Sequence, residues 1–174
     1  MFKLLLLFAG LSVSGPRQGD VWSVYLRLPQ YGKNSPLSLE VVPLHRWGHE
    51  QFTLGVYWTF ASKAEVRADL DKDTFEAVVA HEVAHHVYFK SFNAAKKSVW
   101  QAWWDQNVSL MPRLYGQVSA SEGWAECFAA RFIGTKSYLY EIKKLDPKVI
   151  AQVDAMLVSD KEPVYRSLAE WVAA

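Results

Sequence analysis

The sequence predicts a single α+β domain, and three observations carry the prediction. The first half holds short runs of β-branched and aromatic residues broken by turn clusters. The second half repeats its apolar residues at helical spacing. The 174 residues are enough for one compact core and too few for two, and 51% of them are apolar, which favours folding over disorder. Strands followed by helices in a chain of this size make an α+β arrangement.

The N-terminus comes first. Met1-Phe2-Lys3 precedes an apolar run over residues 4–13, and small residues continue to Gly15. A charged start, a short apolar stretch and a small-residue exit have the build of a secretory signal peptide. Residues 1–15 are therefore read as an export signal and residues 16–174 as the folded domain. With the signal the protein is secreted or exported; without it, cytoplasmic. The run is too short to span a membrane stably. The competing reading is a buried first strand or helix.

Residues 21–28 mix β-branched and aromatic side chains and stop at Pro29, which predicts a strand. A turn cluster follows over residues 31–36. Residues 37–42 and 52–60 read as further strands. Residues 63–70 alternate cleanly: Ala64, Val66, Ala68 and Leu70 share one face, Lys63, Glu65, Arg67 and Asp69 the other. That pattern predicts one buried and one wet face.

Asp73, with Glu76 three residues on, predicts a capping box opening a helix over residues 74–90. Its apolar residues, Phe75, Val78, Val79, Val83 and Val87 among them, run almost all round the axis, which marks a buried central helix. Residues 94–107 predict a second helix with Val99, Trp100, Trp103 and Trp104 as its core-packing stripe. A third covers residues 121–133 and is stopped by Gly134. Pro147 opens a fourth over residues 148–159, and a short last helix spans residues 163–174.

Nineteen basic and 18 acidic residues leave a net charge of +1, so there is no basic footprint for nucleic acid. The single cysteine, Cys127, can form neither an internal disulfide nor a cysteine-based zinc site, and reads as a small buried hydrophobe.

The chemistry lies in His81-Glu82-Val83-Ala84-His85, an H-E-x-x-H motif within the central helix. Residues four apart are about 40° apart around a helix axis, so His81 and His85 can reach one ion, with Glu82 about 100° away. Burying two histidines and a glutamate with no shared task would be costly. A catalytic zinc site takes three protein ligands and keeps one position open. His86 lies about 100° from His85 and should not reach the same ion. His45 and His49 are upstream candidates for the third ligand. Glu122 and Glu126 are stronger ones, because they sit four apart on a helix otherwise built from Trp124, Phe128, Ala129 and Phe132. A capping box with Ser119 is the structural alternative for Glu122, and a solvated helix face that for Glu126.

This combination resembles the gluzincin metallopeptidases, in which H-E-x-x-H is followed by a glutamate ligand on a second helix. It is most similar to the anthrax-lethal-factor-like group, which includes the Pro-Pro endopeptidases. That group carries an E-x-x-A-E pattern with a tyrosine seven residues before its first glutamate. Here Glu122-Gly123-Trp124-Ala125-Glu126 and Tyr115 match it. The zinc aminopeptidases share the Glu-Gly-aromatic-Ala-Glu string but have a much shorter gap than the 36 residues between His85 and Glu122. The resemblance covers roughly residues 55–133.

It implies a zincin-like domain, with a small mixed sheet packed on the active-site helix and a helical C-terminal half. It implies one zinc ion held by His81, His85 and Glu122, with Glu126 accepting a hydrogen bond from a ligand histidine and Tyr115 donating to the oxyanion. The expected activity is zinc-dependent hydrolysis of peptide bonds in a peptide or protein substrate, most simply as an endopeptidase, by a metal-activated water with Glu82 as general base. Either the strand over residues 63–70 or Gly55-Val56-Tyr57-Trp58 would offer the sheet edge for an extended peptide. The alternative is a catalytically silent binding or assembly protein of the same fold with structural zinc. A DNA-associated protease of the SprT-like kind is disfavoured by the balanced charge and the lack of zinc-ribbon cysteines.

Overall fold

The computed structural model describes residues 10–29, 35–43 and 53–158. Among them the chain runs β1 (Leu11–Ser14), α1 (Gln18–Arg27), β2 (Leu37–Val42), β3 (Gly55–Trp58), β4 (Lys63–Arg67), α2 (Lys72–His86), α3 (Ala94–Asn107), α4 (Ala120–Phe132) and α5 (Pro147–Met156). This is one α+β domain with one hydrophobic core. The four strands form a mixed sheet in the order β1-β2-β4-β3. β1, β2 and β4 are parallel, and β3 returns antiparallel on the outside of β4. Leu39, Val41, Ala64 and Val66 present the sheet's apolar face, and α2 brings Phe75, Val79 and Ala80 to the same core, all buried.

The strand predicted over residues 21–28 is instead α1. Val21, Val24 and Tyr25 are buried and spaced three and four apart, so one helical face explains the burial that the β-branched composition obscured. α1 provides the crossover that two parallel strands, β1 and β2, require. Of the segment read as an export signal, Leu11–Ser14 forms β1, and residues 1–9 lie outside the described residues. So do most of the predicted turn cluster and all of the last predicted helix.

β4 ends at Arg67 rather than Leu70, and its second face is not wet, since Glu65 and Arg67 are each only 9% exposed. β4 is an inner strand, flanked on both sides, and its charges are neutralised in place. Lys63 Nζ pairs with Glu40 at 2.8 Å and Glu65 at 2.7 Å, and Arg67 pairs with Asp69 at 2.7 Å.

α2 begins two residues earlier than the Asp73–Glu76 capping box predicted. Asp71 is the cap, its carboxylate accepting from the Thr74 amide at 3.0 Å. The helix is buried nearly all round, as its composition predicts, and continues into a π-helical turn, Val87–Ser91. α3 has the predicted bounds, although Val99 is 56% exposed and only Trp100 is fully buried. Gly134, at φ +101°, follows α4 in the left-handed conformation that glycine tolerates best.

Three indoles tie the helices to one another. Trp100 donates to the Ala120 carbonyl at 2.6 Å, Trp104 to Gly116 at 3.0 Å, and Trp124 to Ala84 at 3.0 Å. The first two fix the start of α4 and the 3-10 turn before it, Leu114–Gln117. The third pins α4 to the middle of α2. No helix among the described residues is long and apolar enough to cross a membrane.

Candidate metal centre

α2 and α4 pack side by side and bring His85 together with Glu122, 37 positions on in the chain. His85 Nε2 lies 3.1 Å from His81 Nε2, and Glu122 Oε2 lies 3.2 Å from His81 Nε2 and 3.3 Å from His85 Nε2. The three atoms form a nearly equilateral triangle. A tetrahedral zinc site with bonds of about 2.0–2.1 Å has ligand-to-ligand edges of about 3.3 Å, so the triangle fits such an ion. Glu122 Oε2 is buried and accepts no aligned hydrogen bond among the described residues. A buried, unsatisfied carboxylate oxygen facing two imidazole nitrogens is what a cation would complete. The cap predicted as the structural alternative is also present, since Ser119 Oγ accepts from the Glu122 amide at 3.2 Å. The backbone of Glu122 serves the helix terminus while its side chain serves the cluster.

The surroundings orient the two histidines differently. Glu126 is buried, not on a solvated face, and its Oε1 lies 3.2 Å from His81 Nδ1. A carboxylate there fixes the tautomer that leaves Nε2 free to bind a metal. Arg113 Nε stands 2.8 Å from the same Oε1 and supplies the buried carboxylate's counter-charge. His85 Nδ1 has no hydrogen-bond partner among the described residues. Its ring is held by stacking, 6.3 Å from Tyr57 and 6.1 Å from Phe89 between centroids.

Without a bound cation, burial lowers the pKa of His81, but the carboxylates of Glu122, Glu126 and Glu82 outweigh it and raise the ring to about 10, so an ion binding at Nε2 would displace a proton. Burial pushes Glu122 up, yet His81 and His85 prevail and hold it well below the usual carboxylate range.

Glu82 lies one residue on from His81, buried, with Oε2 unpartnered among the described residues. Burial raises its carboxyl, opposed by His81 and His85. β3 passes so close that a Cβ on Gly55 would stand 2.5 Å from Glu82 Oε1 and 2.7 Å from Val78 Cγ1. Glycine is required there by proximity. Gly55→Ala should therefore displace the Glu82 carboxylate while leaving the three candidate ligands in place. A displacement of about 1 Å in a reacting group costs ~100-fold in rate. If Glu82 acts as a base on a bound peptide, that loss should appear in kcat, while bound metal measured by atomic absorption stays at the wild-type level.

Tyr115, on the 3-10 turn, completes the group. Its ring lies 6.2 Å from that of His81, with the Arg113 guanidinium 4.8 Å from the ring centre. Burial, with the nearby charges of Glu122 and Glu82, pushes its hydroxyl up to about 12, so it stays a neutral donor. β3, α2 and the chain around Tyr115 enclose a cleft of about 790 Å³ in which His81, His85, Glu122, Glu82, Arg113 and Tyr115 are exposed to one another.

His86 stays apart from this cluster, as its angle predicts. Its Nδ1 is 3.0 Å from the Tyr57 hydroxyl and its Nε2 3.2 Å from the Ser35 carbonyl. His45 and His49 lie outside the described residues. Cys127 is buried, as expected, 3.6 Å from Met111 Sδ. Sequence reasoning missed Arg113 and Tyr57. A signal for the first was present, because a buried Glu126 needs a counter-charge and Arg113 is the only basic residue between Lys97 and Arg131.

No protein-family model, no curated protein and no solved structure matches the chain. What the site can do is therefore read from its geometry.

Proposed function

We propose that this protein is a zinc-dependent peptidase of the gluzincin kind. The observation that carries the reading is the triangle of His81, His85 and Glu122, open to a cleft that also holds a buried Glu82 whose Oε2 has no partner among the described residues. Structural zinc sites are closed by four protein ligands, whereas three ligands facing a cleft leave a position for water. That difference favours catalysis over a structural brace. The H-E-x-x-H and Glu122-Gly123-Trp124-Ala125-Glu126 motifs support the same reading.

His81, His85 and Glu122 would hold the ion, and zinc bound there supplies a Lewis acid that acidifies water and tolerates developing negative charge. Glu82 takes the proton as water attacks the peptide carbonyl. With its carboxyl raised by burial, it can return that proton to the leaving amine. Tyr115 donates its hydroxyl hydrogen to the oxyanion. Glu126 and Arg113 keep His81 in register. β3 is an edge strand bordering the cleft, with no partner on its outer side among the described residues. β4 is interior, so β3 is the edge on which an extended peptide would pair.

The test is metal analysis of the purified protein combined with a proteome-derived peptide library. One zinc per chain together with defined cleavage sites supports the reading, and tightly bound zinc with no cleavage of any peptide overturns it. Tyr115→Phe should keep zinc and lower kcat by about 100- to 1,000-fold, the cost of removing one oxyanion donor, with KM nearly unchanged. Steady-state kinetics on one library-derived peptide check this.

A further inference from the structure

The β3–β4 hairpin carries two large aromatic side chains that the proposed chemistry does not use. Phe60 is 105% exposed and Trp58 52% exposed. Together with Lys63 they line a mostly apolar groove of about 590 Å³ on the hairpin. Single exposed hydrophobics are ordinary, but two aromatics sharing one groove are not. The groove adjoins the metal-site cleft, since Tyr57 and Thr59 line both.

Side chains alternate along a strand, and β3 uses its two faces differently. Gly55 and Tyr57 face α2, the first against Glu82 and the second against His85. Val56 and Trp58 therefore face the other way, paired across the ladder with Glu65 and Lys63. A peptide added to the outer edge of β3, which has no partner strand among the described residues, must alternate in the same manner. Residues on the Tyr57 side enter the metal-site cleft, and their immediate neighbours point towards Trp58 and Phe60. The Lys63 ammonium is held by Glu40 and Glu65, so the groove offers an aliphatic stem and two aromatic faces rather than an open charge.

We propose that this groove is a specificity subsite. It receives a large apolar or aromatic side chain of the peptide being cut, at the position next to one that faces the metal-site cleft. This rests on the peptidase reading and narrows it to extended segments bearing an apolar residue at one fixed distance from the cleaved bond.

The test uses the full chain loaded with zinc and a proteome-derived peptide library read by mass spectrometry. The wild type should show enrichment of Phe, Tyr, Trp, Leu or Met at one position. Phe60→Ser and Trp58→Ser should abolish that enrichment. For a matched pair of peptides carrying Phe or Ala there, the ratio of kcat/KM should fall by about 10-fold or more in each variant. Phe60 is fully exposed, so its substitution threatens no core packing, and near-UV circular dichroism checks both folds. Cleavage without an apolar preference, or a preference that survives both substitutions, overturns the subsite and leaves the peptidase reading standing. A dimer that Phe60→Ser makes monomeric, with cleavage preference unchanged, assigns the hairpin to a second copy of the chain and also overturns it. Zinc binding without cleavage of any peptide removes the peptidase reading, and the subsite with it.

Discussion

Glu82→Gln is expected to bind zinc with the stoichiometry of the wild type and to lose the proposed peptide cleavage. The amide has the carboxylate's shape and fits the same space between α2 and Gly55, so the helix and the cleft should be undisturbed. It is not among the three atoms of the triangle, so the ligand set survives. What it lacks is a lone pair basic enough to accept a proton from water. General base catalysis contributes about 100- to 10,000-fold, and Glu82 is also the proposed carrier of the proton to the leaving amine, so the upper end of that range is expected. Zinc by atomic absorption and single-turnover cleavage of a library-derived peptide are the measurements. Cleavage retained within a few-fold of wild type would remove Glu82 from the base role while leaving the metal centre untouched.

Glu122→Ala should produce the opposite pattern, losing zinc first and activity as a consequence. Two imidazoles four residues apart on one helix leave an ion with too few protein ligands to compete against water. Loss of a residue that only orients a ligand, such as Glu126, typically costs 10- to 100-fold in metal affinity. Loss of Glu122 itself should exceed that. A chelator competition titration comparing wild type, Glu126→Gln and Glu122→Ala should therefore rank them in that order. Because Ser119 Oγ meets the backbone amide of residue 122, α4 keeps its cap in the variant. A Glu122→Ala protein that held zinc as tightly as Glu126→Gln would mean the third ligand lies elsewhere, with His45 and His49 the next to test.

Much of this site was legible in the chain because helices announce themselves by spacing. The bounds of α3, the buried character of α2 and the pairing of Glu122 with Glu126 on one helix all follow from residues three and four apart. The exclusion of His86 follows from a 100° step. The same spacing is present in Val21, Val24 and Tyr25, but the β-branched composition around it masks the helical face, so α1 reads as a strand in the sequence. Asp71 and Asp73 both suit a helix start, and only the backbone decides that Asp71 caps. The contribution of Gly55 was not readable at all. It depends on how closely β3 passes α2, a distance set by packing between segments 27 residues apart in sequence. Strand order has the same character: aromatic and β-branched composition marks β3 as a strand and alternation marks β4, but neither shows that β4 is inside and β3 at the edge.

The indole bonds between helices have a further consequence, which is optical. Trp100 lies 5.3 Å from Trp124 and 5.2 Å from Trp103 between ring centroids, and Trp100 and Trp124 are fully buried. Rigid, closely spaced indoles couple electronically and give strong near-ultraviolet dichroism that vanishes when their relative orientation is lost. Trp124 sits two residues from Glu122 and donates to the carbonyl of Ala84, beside His85. The alignment of the two helices that carry the triangle is thus coupled to an intrinsic chromophore. Any variant that separates them should reveal itself by its spectrum before a metal or a substrate is added.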